Sequence, residues 1–195
     1  MTDTCLRLAG TCEPPSRVES QGSRIATLQG GARTAIQDLL GEFATRAIRQ
    51  GYKVAGVVEL APPPMSNKSC CYAVRDVSDG AIFPIGQDLG PGSTACNLDP
   101  AGLAQACHAV ECAIARGVDL VILSKFGKLE AQRRGLTDAF RAAFAARLPI
   151  LTSVSPKLSQ AWAEFAGSES EFMPADRCDI DMWWSLVKPD MALAV

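Results

Sequence analysis

The chain has 195 residues, 48% hydrophobic and 21% charged, with a formal net charge of -2. That length and composition suit one α/β domain with a sizeable core. The near-neutral charge argues against nonspecific nucleic-acid binding, and no apolar run approaches the roughly 20 residues of a membrane helix, so neither nucleic acid nor membrane is an expected partner.

Residues 1–23 are polar and rich in Pro, Gly and Ser, which predicts a flexible N-terminal arm ahead of a single domain over 24–195. The arm carries Asp3, Arg7 and Glu13 and no apolar secretory stretch, so the expected compartment is the cytoplasm. Eight cysteines (Cys5, Cys12, Cys70, Cys71, Cys96, Cys107, Cys112 and Cys178) are then expected as free thiols. None forms a CxxC pair, and Cys107 and Cys112, five apart on a predicted helix, suit small apolar packing better than a shared zinc ion.

The first strand is predicted over 24–29 and a turn over Gly30-Gly31-Ala32-Arg33. Thr34 is the candidate cap of a helix over 35–50, whose apolar residues Ile36, Leu39, Leu40, Phe43 and Ala47 recur at helical spacing. A second strand is expected over 52–60, ended by Pro62-Pro63-Pro64. Alternation over 70–77 and a return over 81–85 around Asp79-Gly80 read as a hairpin. Asp99 and Pro100 open a helix over about 101–116 as N-cap and N1.

The densest signal follows, over 118–135: VDLVILSKFGKLEAQRRG. Leu120 to Leu123 read as a buried strand. Lys125, Lys128, Arg133 and Arg134 then surround Glu130. Further on come a helix over 136–146, a buried strand over 149–154, a helix from Ser155-Pro156 carrying Trp162, a polar stretch over 167–177, and a last helix or strand over 178–187 with Trp183-Trp184. Strand–helix alternation around one hairpin predicts an α/β, three-layer, mostly parallel sheet with an inserted antiparallel hairpin.

Ligands of such sheets sit beyond the carboxyl ends of the strands, so three loops hold the candidate site. Gly30, Gly31, Arg33 and Thr34 join a strand directly to a helix N-terminus, which suits an anion. In the loop from Gly86 to Asp99, Gly90 and Gly92 permit anion-cradling backbone, Ser93 and Thr94 add hydroxyls, and Cys96 is a candidate nucleophile or soft ligand. The third loop offers Lys125, Gly127, Lys128, Glu130 and Arg133. The expected ligand is a small anion: a nucleotide, phosphate or molybdate-like oxyanion. No cofactor, metal or catalytic residue is assigned.

The segment Phe126-Gly127-Lys128-Leu129-Glu130, with the order of elements from 24 to 167, resembles a phosphate-loop nucleoside-triphosphatase family known from thermophiles, whose central strand ends in two acidic residues before an I-G-K-M-E-like motif. Gln87 to Pro100 and Lys125 to Gly135 resemble more closely an uncharacterised bacterial family whose genes often neighbour molybdate-transport genes. The resemblance implies a phosphate-loop fold with a degenerate site. Ser124 and Lys125 stand where the nucleotidase carries its magnesium-binding Asp and catalytic Glu. The pattern G-x-x-x-x-G-K-[ST], aligned on Thr34, meets Thr27, Ala32 and Arg33 instead of its glycines and lysine.

Three functions follow as alternatives: a binding module for an oxyanion, nucleotide or phosphorylated metabolite; an altered triphosphatase or phosphotransferase with Glu130 as base; or an interaction protein whose Trp162, Trp183 and Trp184 mark a dimer or partner surface.

Overall fold

The computed structural model describes residues 23–61, 72–87 and 98–189. The predicted arm up to residue 22, the start of the expected hairpin at 70–71 and the loop residues 88–97 lie outside the described residues. The elements in order are β1 (Ile25–Gln29), α1 (Arg33–Arg49), β2 (Val54–Leu60), β3 (Ala73–Asp76), β4 (Ile82–Pro84), α2 (Pro100–Ala115), β5 (Leu120–Phe126), α3 (Lys128–Ala131), α4 (Thr137–Ala145), β6 (Ile150–Val154), α5 (Ser159–Ala166), β7 (Ser170–Pro174) and α6 (Arg177–Val187).

The described strands form a seven-stranded sheet in the order β4-β3-β2-β5-β6-β1-β7. The run from β2 to β7 is parallel, and β3 and β4 extend it antiparallel beyond β2. The four apolar runs expected as parallel strands are therefore central. The fifth parallel strand, β7, lies in the stretch over 167–177 read from sequence only as polar. As an edge strand it pairs with β1 alone, so it needs apolar residues on little of its surface.

Helices cover both faces, and the central strands alternate between two cores at the period of two that a pleat imposes. Ala55, Val57, Val121, Leu123 and Ile150 face Leu103, Phe140 and Trp162 of α2, α4 and α5. Val54, Val58, Leu120, Ile122 and Leu151 face Leu40 and Phe43 of α1 and Ile180 and Trp184 of α6. Right-handed crossovers place the connecting helices: α1 crosses the sheet in one direction, from β1 to β2, and α2, α4 and α5 cross back on the other face, while α6, which follows the last strand, packs beside α1.

The tryptophans belong to these cores. Trp162, Trp183 and Trp184 are 0%, 3% and 5% exposed, so they mark no partner surface. Phe126 at the end of β5 packs on Trp162 at 5.0 Å between ring centroids and on Phe140 at 6.1 Å, which anchors the start of the basic segment. On the other face Trp184 meets Tyr52 edge-on at 5.1 Å.

Two boundaries differ from the sequence reading. Helix α1 starts at Arg33 with Ala32 as an extended N-cap making no side-chain bond, so Thr34 lies inside its first turn. Gly30 and Gly31 have completed the reversal already, at φ 87° and 83°, a conformation that favours glycine. Strand β5 runs on past the apolar run that ends at Leu123, through Phe126. Helix α2 does open on Asp99, whose carboxylate accepts the Ala101 N–H at 2.9 Å. The described thiols Cys107, Cys112 and Cys178 are free. Cys107 is buried against the α2–α4 contact, and Cys112 is half-buried.

Candidate functional site

The carboxyl edge is shaped by a disruption in two strand ladders. The β2–β5 ladder pairs residues only as far as Val57 and Leu123. Between β5 and β6, Leu123 faces Thr152 and Phe126 faces Val154, so Ser124 and Lys125 together stand opposite Ser153. That is a bulge, which bends a strand and re-aims its side chains. The Ser124 carbonyl released from the ladder accepts the Gln37 side-chain amide and the Ser153 hydroxyl, each at 2.8 Å. Gln37, buried on α1, also accepts the Glu59 N–H through Oε1 at 2.8 Å. One amide side chain thus closes the gap where β2 and β5 part.

The residue that sequence reasoning missed is Glu59, near the end of β2. Its side chain is 8% exposed. Lys125 Nζ lies 2.5 Å from Oε1 and Arg33 Nε lies 2.8 Å from Oε2. Oε2 is buried with no hydrogen-bond donor aligned on it, so the Arg33 contact is an ion pair without hydrogen-bond geometry. A buried carboxylate requires such pairing. Arg33 also lies over the Tyr72 ring, 5.3 Å from its centroid. The start of α1 and the end of β5 therefore converge on one carboxylate, and Arg33 and Lys125 are compensated by Glu59, where the sequence offered only Glu130 among the cations. A lone Glu after VAGVV is an ordinary strand end, and only the tertiary pairing reveals its role.

Glu130 is held differently. It is 5% exposed. Oε2 accepts the Gly127 N–H at 2.8 Å and Oε1 accepts the Leu136 N–H at 3.0 Å. A Cβ on Gly135 would stand 2.2 Å from Oε1, and one on Gly127 would stand 3.2 Å from Oε2. The spacing of Gly127, Glu130 and Gly135 thus builds a carboxylate clasp that closes the 127–136 turn on itself. Both oxygens serve backbone donors, and neither Lys128 nor Arg134 pairs with it.

The other sequence candidates divide. Gly30, Gly31, Arg33 and Thr34 are exposed at the head of α1, whose first turn has no acidic residue and no capping side chain. Gly30 and Gly31 border open space. Lys125, Gly127 and Lys128 line a cavity of about 260 Å³ together with Glu59 and Glu130. Arg133, at φ 60°, does not line that cavity; it lines a neighbouring groove with Glu130, Arg141, Phe144 and Glu164. Gly90, Gly92, Ser93, Thr94 and Cys96 lie outside the described residues. The ends of their loop are fixed: Gly86 bridges Leu98, and the Asp99 N–H donates to Ile85 at 2.8 Å. His108 and Cys112 are neighbours on α2, Sγ to Nε2 3.4 Å.

A larger concavity of about 820 Å³ opens at the opposite edge beside Arg24, Ile25 and Leu148. Strands begin there, and Arg24 is committed to the Arg147 carbonyl at 2.9 Å. The carboxyl edge, where loops from separate strands bring charge together, is the better candidate.

A mostly parallel α/β sheet with a glycine turn feeding a helix N-terminus is consistent with a phosphate-loop nucleoside-triphosphatase-like fold. The chain belongs to the family described as "Protein of unknown function (DUF2478)", whose model matches residues 25–183. It is similar to the molybdenum import ATP-binding protein ModC 2 of Bradyrhizobium diazoefficiens, 36% identical over 174 residues, which are 89% of this chain and 19% of that protein. The chain thus spans about a fifth of that relative's length. No solved structure matches.

Proposed function

We propose that the chain is an anion- or nucleotide-binding module of degenerate phosphate-loop type, with its site at the carboxyl edge. The observation that carries this reading is the meeting of Arg33 and Lys125 on buried Glu59. Two cations, one opening α1 and one on the bulged end of β5, are positioned beside a helix N-terminus that lacks a capping side chain. An arriving phosphate competes with Glu59 for them and gains the free N–H groups of α1. Lys128 adds a cation at the cavity that Glu59 and Lys125 line. The name of the relative supports nucleotide binding and a setting in molybdenum import, although the match covers only a fifth of that protein.

Catalysis by the usual triphosphatase route lacks support, because Ser124 and Lys125 supply no carboxylate to hold a metal between phosphates. Glu59 gives an altered triphosphatase a specific footing. It is a carboxylate delivered to the edge from the neighbouring strand, whereas Glu130, clasped by two backbone N–H groups, is poorly placed to take a proton from water.

A thermal-shift panel of ATP, GTP, phosphate, sulfate, molybdate and tungstate, each with and without Mg²⁺, tests the reading. At least one anion should raise the melting temperature, and Arg33→Ala and Lys128→Ala should each weaken it by about 1–3 kcal/mol, the range for a charge-assisted contact. If both variants respond as the wild type does, the site assignment fails.

A further inference from the structure

The cavity behind Lys125 and Lys128 is lined mainly by apolar side chains, and its two carboxylates, Glu59 and Glu130, are already held by cations and by backbone N–H groups. Its walls are Val74, Ile85, Leu103, Leu129 and Leu136, drawn from β3, the chain beyond β4, α2, α3 and the approach to α4. Val74, Ile85, Leu103 and Leu136 are all part of the buried core on this face of the sheet. The core therefore opens upward into the charged edge instead of closing beneath it.

A volume of about 260 Å³ equals roughly nine waters at about 30 Å³ each. Against aliphatic walls those waters find few partners, and an apolar group that replaces them gains their release. A tetrahedral oxyanion presents no apolar surface and cannot use such walls. It would engage the rim and leave the chamber to water. A molecule with an anionic head and a ring-sized apolar body fits both parts, with the head at Lys125 and Lys128 and the body between Leu103, Leu129 and Leu136.

We infer that the ligand of this site is an organic anion, a phosphate or carboxylate joined to a compact apolar or aromatic body, and not a bare inorganic oxyanion. The inference rests on the anion-binding reading above and narrows it to a ligand class. Glu59 contributes to that selectivity. It already neutralises Arg33 and Lys125, so an anion must offer more than its charge to displace it, and the apolar body supplies the difference.

The experiment is a calorimetric comparison of 1-naphthyl phosphate, inorganic phosphate and 1-naphthol on the full chain. It includes Lys125→Ala and two chamber-filling variants, Val74→Phe and Leu129→Phe. Leu129 is half-buried and tolerates the change if Val74→Phe fails to fold. Naphthyl phosphate should bind at least tenfold more tightly than phosphate. That ratio should fall to within about threefold in a folded filling variant whose phosphate affinity is unchanged, and Lys125→Ala should weaken both anions. Equal binding of the two phosphates, or a ratio that survives both filling variants, overturns the inference while a Lys125-dependent affinity leaves the anion site standing. Binding of either anion that Lys125→Ala does not touch overturns the functional reading itself, and naphthol binding as tightly as its phosphate overturns both.

Discussion

Two glutamates are buried within one cavity at the carboxyl edge, and they are employed in opposite ways. Glu130 accepts two backbone N–H groups and forms no ion pair among the described residues. Glu59 is paired with Lys125 and Arg33 and leaves Oε2 without an aligned donor. A carboxylate saturated by main chain is part of the fold, since its loss strands buried donors. A carboxylate held only by half-exposed side chains can be exchanged for another anion, because those side chains can turn to the newcomer or to water. The contrast separates the glycine-bounded motif that dominates the sequence from the unannounced residue on which Arg33 and Lys125 converge.

The largest expected effect is on the clasp. Glu130→Ala should lower unfolding stability in urea by about 3 kcal/mol, from two buried N–H groups left without acceptors at about 1–3 kcal/mol each. A change below about 0.5 kcal/mol accompanied by lost anion affinity would move Glu130 from the fold to the site. Gly135→Ala should follow the same direction by about 1–3 kcal/mol, since its φ is 65° and its Cβ would press on Oε1.

Glu59→Gln comes next and should behave in the opposite sense. Stability should fall by about 1 kcal/mol or less, because Arg33 and Lys125 are 51% and 38% exposed and can be rehydrated. Phosphate affinity should rise by about tenfold, the value of one freed charge-assisted contact. Steady-state assays should find negligible Mg-dependent hydrolysis of ATP or GTP. Sustained turnover abolished by Glu59→Gln would instead make Glu59 the carboxylate of an altered triphosphatase.

The smallest effect concerns Cys107. Burial pushes its thiol above the ordinary value of 9.0, helped by the charges of Glu111 and Asp138 and opposed by a backbone hydrogen bond from Ala139. The unfolded chain therefore loses this proton first, and stability should decline slightly as pH rises through about 9. Iodoacetamide labelling read by mass spectrometry should modify Cys178 well before Cys107. Equal rates would show that the α2–α4 contact opens readily.

Much of the fold was legible because buried parallel strands are written as short runs rich in apolar and β-branched residues, such as LVIL of β5 and ILTSV of β6. Strand β7 was not, because SEFMP sits at an edge where polar residues suffice. The bulge at Ser124 and Lys125 was hidden as well, since a strand buried on both faces has no polar alternation to break. Of the site, Arg33, Lys125 and Lys128 could be read as cations in loops after strands. Glu59 could not, for its meaning lies in contacts with residues 26 positions before it and 66 after it. Glu130 was seen, but its glycine neighbours looked like loop flexibility when they are the room that its carboxylate needs.

The two glutamates can be set against each other directly by titrating ATP into the wild type, Glu59→Gln and Glu130→Gln by calorimetry, with urea unfolding of the same preparations. The account predicts that Glu59→Gln tightens binding and scarcely alters the unfolding midpoint, while Glu130→Gln lowers the midpoint and leaves the affinity of the folded fraction unchanged. Weaker binding in Glu59→Gln, or an anion response that follows Glu130 alone, would contradict it.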